Sequence, residues 1–157
     1  MAKYKSESGR SMIEMIGVLA LMTLITAGAF VLINGAMRSQ KISHFDDEVN
    51  LLAANARALT AEAGNFKSLP AANDLDSNND SLGKDVATGI LKKSESVISG
   101  TYKLLKTNAN GTGFMVVVEG TDLDWCEGLH GRAYPNGTAT CSTNSQGKHI
   151  LTITFTE

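Results

Sequence analysis

Residues 9–33 read GRSMIEMIGVLALMTLITAGAFVLI, and no other stretch of the chain constrains the architecture as strongly. From Met15 to Ile33, nineteen residues carry no charge. As a helix rising ~1.5 Å per residue they span about 28 Å, close to the hydrocarbon thickness of a bilayer. The run has no proline, and its two glycines, Gly17 and Gly28, are tolerated in lipid-embedded helices. Lys3, Lys5 and Arg10 precede it, so the positive-inside tendency puts the N-terminus in the cytoplasm and everything after Asn34 outside. One carboxylate interrupts the pattern: Glu14 lies between Ile13 and Met15. An acid near the bilayer centre costs roughly 2–3 kcal/mol, and less near a helix end. Such a residue is a functional candidate that needs a cationic partner. A free α-amino group is one, being charged below a pKa of about 8.

Bulk composition narrows the function classes. The chain has 157 residues, enough for one modest domain plus an appendage. A formal net charge of −2 argues against a dedicated nucleic-acid binder, so no nucleic-acid partner is expected. Cys126 and Cys141 are the only cysteines, with fourteen residues between them. A lone pair makes no four-thiolate zinc site, and the spacing is not C-x-x-C. In an exported domain the natural reading is a disulfide, the alternative being two buried free thiols.

The segment Gly9-Arg10-Ser11-Met12-Ile13-Glu14, followed at once by the apolar run, resembles the processing signal of type IV prepilins. The resemblance implies that a membrane-embedded prepilin peptidase cuts between Gly9 and Arg10 and methylates the new terminus. Residues 1–9 are then a leader, and Glu14 becomes the fifth residue of the product. Glycine suits a peptide that must enter a protease cleft extended, and a carboxylate near a helix N-terminus is favoured by the helix dipole. Glu14 would neutralise the α-amine of the adjoining subunit and set the axial offset between copies. Arg10 stands where the family usually has phenylalanine or another apolar residue, and the mid-helix proline of many major pilins is absent. The competing reading is an ordinary signal peptide cut at Ala27-Gly28-Ala29. Against it, the apolar run continues through Ile33 and Glu14 would interrupt the core.

Beyond the membrane segment, Phe45, Val49, Leu52, Ala56, Leu59 and Ala63 recur at spacings of four and three, the pattern of one helix face. Gly64 supplies a stop. One helix is therefore expected over residues 10–63, with 12–33 as the transmembrane and filament-core part and 64–157 as a globular head. Asp46-Asp47-Glu48 reads as a solvated face, with contact between subunits as the alternative, and His44 as an exposed helix residue.

In the head, a short helix is expected from Asp85 to Lys93. Strands are expected from Val97 to Lys106 and Gly113 to Glu119, joined by a hairpin at Asn110-Gly111. A weaker strand is read near Gly137 to Ser142, a helical turn at Leu123 to Leu129, and a final strand at His149 to Thr156, where Leu151, Ile153 and Phe155 alternate with threonines. The fold class is α+β: an antiparallel sheet covered on one face by the long helix, in the manner of the type IV pilin fold. The Cys126–Cys141 segment becomes a stapled loop near the C-terminus, which resembles the disulfide-bonded region of pilins.

Asp74, Asp76, Asn78 and Asp80, with Asp85 at the twelfth place, approximate a calcium loop. Asn79 replaces the sixth-position glycine and the twelfth residue is Asp rather than Glu, so a hydrophilic loop is the better reading. No cofactor and no catalytic arrangement is expected: His130 and His149 are isolated in sequence, and no phosphate-cradling loop or H-E-x-x-H motif occurs. The resemblance implies a structural subunit, not an enzyme. Its partners would be identical or related pilin subunits, the prepilin peptidase, an inner-membrane assembly platform and, before assembly, membrane lipid. It would sit once across the bacterial inner membrane and later in an extracellular pilus. The alternatives are a pseudopilin of a type II secretion system and a membrane-anchored binding protein that never polymerises.

Overall fold

The computed structural model describes residues 8–61, 64–71, 81–107 and 110–156. Helix α1 runs from Ser8 to Thr60 without a proline to break its ladder. It ends where Gly64, at φ 64°, donates its N–H to the Thr60 carbonyl at 3.0 Å. The chain divides into two compact units between Gln40 and Lys41. The first consists, among the described residues, of the N-terminal part of α1.

The second unit is α+β. It holds the remainder of α1, helix α2 (Ser81–Leu91), β1 (Thr101–Lys106), β2 (Gly113–Thr121), α3 (Leu123–Leu129), β3 (Ala133–Tyr134), β4 (Gly137–Thr143) and β5 (His149–Thr156). The five strands form one antiparallel sheet in the order β1-β2-β5-β4-β3. Phe114 faces Phe155, Val116 faces Ile153 and Val118 faces Leu151 across the β2–β5 pair. These inward residues pack with Phe45, Val49, Leu52, Ala53 and Ala56 of α1 and Ala87 of α2 into the main core. The other sheet face carries a smaller cluster of Leu105, Val117 and Ile150. There Lys103 is buried and its ammonium is paired with Glu119, as a buried charge requires.

Four elements depart from expectation. The first strand begins at Thr101 rather than Val97, because Ser99 (φ 74°) and Gly100 (φ 86°) are both left-handed and cannot continue a pleated strand. The small edge strand β3 was not anticipated. Its turn is Pro135-Asn136, with Asn136 at φ 62° as a tight turn with proline in second place needs at its third residue. Helix α2 starts at Ser81 and stops at Leu91, with Lys92 left-handed at φ 59°. On α1, Leu59 is 63% exposed while Thr60 is buried and returns its hydroxyl to the Ala56 carbonyl at 2.8 Å. The step of four from Ala56 is buried, and the step of three is not. Ala63 lies outside the described residues.

Leu52→Ala should therefore lower unfolding free energy by about 2–5 kcal/mol, as a fully buried leucine does, while Leu59→Ala should stay within about 0.5 kcal/mol of the parent. Paired urea unfolding curves check this, and equal losses would mean that the covered stripe of α1 extends to Leu59.

Candidate functional site

In the N-terminal unit every large side chain from Met12 to Ile33 is exposed, Ile13 and Leu32 each at 75%. At about 100° per residue, Met12, Ile13, Met15, Ile16, Val18, Leu19 and Leu21 are spread round the whole circumference. A helix apolar all round belongs in a membrane or in a bundle, and this one is long and apolar enough to cross a membrane. Its threonines conceal their polarity, Thr23 donating to the Ala20 carbonyl at 2.8 Å and Thr26 to that of Met22 at 2.7 Å. Glu14 is exposed and is the one ionisable residue between Arg10 and Arg38. Gly9 and Arg10 fall in the first turn of α1, one turn before Glu14.

The acidic run on α1 is not a solvated face. Asp46 receives the Arg132 guanidinium (2.5 Å) and the Tyr134 hydroxyl (3.1 Å). Glu48 receives the Lys93 ammonium and the Tyr102 hydroxyl, the latter at 2.6 Å, and Ser96 donates to the Tyr102 oxygen at 3.2 Å. Only Asp47 points to water. Burial, reinforced by the hydrogen bond to Glu48, pushes the Tyr102 phenol well above its ordinary range. Burial and the Asp46 charge do the same to Tyr134. Sequence periodicity could have exposed these acids, since both flank the stripe Phe45-Val49-Leu52. Their partners lie 45 to 88 residues away and leave no local trace.

Cys126 of α3 and Cys141 of β4 are joined in a disulfide with Cα atoms 5.3 Å apart. Beside it lies a groove of about 470 Å³ lined by Leu123, Glu127, His130, Cys141, Thr143 and His149 among others. The two histidines, far apart in sequence, thus meet on one surface. His130 Nδ1 accepts the Cys141 backbone N–H at 3.1 Å, which places the proton of the neutral ring on Nε2. His149 Nδ1 and the Thr143 hydroxyl are 3.1 Å apart. Among the described residues no three acidic, histidine or cysteine side chains are grouped to hold a metal. Of the calcium-loop candidates, Asp74, Asp76, Asn78 and Asp80 lie outside the described residues, and Asp85 is exposed on α2.

No protein-family model, curated protein or solved structure matches this chain.

The raised phenol of Tyr102 gives a pH prediction. A group whose folded pKa lies above its unfolded value stabilises fully below the unfolded value, about 10 for tyrosine, and loses that contribution as pH rises toward the folded one. Thermal midpoints should therefore fall from about pH 10 upward. Tyr102→Phe should be less stable than the parent at neutral pH by about 1–2 kcal/mol, yet decline less steeply in alkali. Parallel alkaline slopes for the two proteins would contradict the assignment.

Proposed function

We propose that this chain is a filament-forming structural subunit rather than a catalyst. More narrowly, it is a subunit of the type IV pilin kind, processed after Gly9 and polymerised through its N-terminal helix. The observation that carries the reading is Glu14: one carboxylate, five residues after a glycine, at the head of an exposed helix with no polar face. Cleavage between Gly9 and Arg10 creates a cationic α-amine at the start of that helix. Arg10 adds a guanidinium to the same end. A neighbouring copy displaced along the helix axis brings its Glu14 to this positive terminus, relieving the cost of an isolated acid in lipid, at most roughly 2–3 kcal/mol and less near a helix end. Each subunit then presents its own apolar helix and acid to the next.

Before assembly the subunit sits once across the bacterial inner membrane with its N-terminus inside, and afterwards in an extracellular filament. The head supports this reading with a packed α+β unit closed by a disulfide, which suits an oxidising exterior.

Glu14→Leu and Glu14→Ala should be processed normally, with intact mass showing a chain that begins at Arg10, but should yield no filaments in a sheared surface fraction. Gly9→Leu should retain residues 1–9 and also fail to assemble. Normal filaments from Glu14→Leu would remove the pairing mechanism, and a mature chain that starts elsewhere than Arg10 would remove its cationic partner.

A further inference from the structure

The two sulfurs of the disulfide occupy unlike environments. Cys126 has 0% exposure and belongs to the main core. Cys141 is only half-buried and lines the groove between α3 and the end of β4, beside His130, Thr143 and His149. Thiol–disulfide exchange requires a thiolate to reach a sulfur, so access selects which one is attacked. We infer that Cys141 Sγ is the entry sulfur for thiol–disulfide exchange in the folded head, and that this groove admits a small thiol such as glutathione to it.

The chemistry balances without further reagents. A glutathione thiolate attacks Cys141 Sγ, the Cys126–Cys141 bond breaks, and its electron pair leaves on Cys126, which takes up a proton. The Ile150 carbonyl oxygen lies 3.5 Å from Cys126 Sγ, in place to accept the new S–H, so the departing sulfur remains as a buried neutral thiol. A second glutathione thiolate attacks the glutathione sulfur of the mixed disulfide. It releases glutathione disulfide and leaves Cys141 as a thiolate; two electrons have passed from two thiols to the protein.

The surrounding frame does not depend on the bond being intact. Gly131 N–H reaches the Ala139 carbonyl at 2.8 Å, Ala139 N–H the Arg132 carbonyl at 3.0 Å, and Cys141 N–H the His130 ring. β4 is also paired with β5 along its whole length, from Gly137 opposite Phe155 to Thr143 opposite His149. Cys141 therefore keeps its place at the groove wall after exchange, and the mixed disulfide forms on a folded head.

The test uses the full chain in detergent, oxidised and folded. A brief pulse of reduced glutathione, quenched with acid and followed by peptide mass mapping, should place the glutathione adduct on Cys141. Separately, Cys126→Ser and Cys141→Ser are reacted with an aromatic disulfide reagent, each compared with itself in guanidinium. The free Cys141 should react within about tenfold of its unfolded rate, and the free Cys126 at least about a hundredfold more slowly than its own, since it must await local opening. Adducts on Cys126, on both sulfurs equally or on neither overturn the inference, as do equal protection factors for the two variants. The pulse begins from the intact disulfide, so it remains decisive if a variant fails to fold. Filament assembly is not read in either arm, and the outcome is independent of the function proposed above.

Discussion

Among the described residues two hairpins, β1–β2 and β3–β4, are joined into one sheet by β5. Its eight residues, His149 to Thr156, pair with β2 along one edge and β4 along the other, so both rows of its backbone groups are satisfied at once. The pairing of Gly113 with Thr156 is strongly non-local, and such closure is entropically slow. The Cys126–Cys141 bond acts just upstream: it ties α3 to the strand that β5 must join. Remove β5 and Phe155, which stacks on Phe114 at 4.8 Å, leaves the core together with the seat of α1.

That seat explains how one helix carries three acids to three different ends. Arg57 lies over the rings of Phe114 and Phe155, at 5.6 and 5.7 Å, while Phe45 stacks near Tyr102. Asp46 and Glu48 are two positions apart, hence about 200° apart around the helix, and they straddle the buried line of Phe45 and Val49. Asp46 reaches toward the β3 edge through Arg132 and Tyr134, and Glu48 toward the β1 edge through Lys93 and Tyr102. Asp47, between them, faces away. Buried packing alone permits a helix to slide or roll on a sheet, because hydrophobic contact is non-directional. Charged hydrogen bonds to opposite edges of the sheet remove that freedom.

Much of this was legible in the chain. The α+β class, the long apolar helix, the antiparallel sheet, the disulfide and the alternating final strand each rest on a local pattern: a charge-free run, a period of two, a lone cysteine pair. What escaped was non-local or conformational. The start of β1 depended on two successive left-handed residues, Ser99 and Gly100, of which only the glycine gives a sequence signal. Strand β3 has two residues and no periodicity to read. The acidic run looked solvated because Arg132, Tyr134, Lys93 and Tyr102 come to it from other elements, and the groove joins histidines 19 positions apart on α3's exit and β5. Leu59 was misplaced because steps of three and four are both helical, and only tertiary burial, which covers Thr60 and leaves Leu59 exposed, decides between them.

The same distinction between non-directional and directional forces bears on the N-terminal helix. Fourteen large apolar residues between Met12 and Ile33 are exposed. Keeping them out of water is worth roughly 1.5–3 kcal/mol apiece, tens of kcal/mol together. Lipid tails satisfy that demand as well as a neighbouring helix does, so this term cannot by itself draw subunits out of a membrane and into a filament. Glu14 differs in kind. A carboxylate is poorly served by hydrocarbon and well served by a cationic helix terminus, so if the chain polymerises as proposed its small energy would favour the neighbour over the lipid where the large apolar term is indifferent. It also distinguishes one axial offset from the others, which a uniformly apolar surface does not. On the filament reading, the apolar residues keep the helix out of water, while the single acid decides between lipid and partner and sets the register.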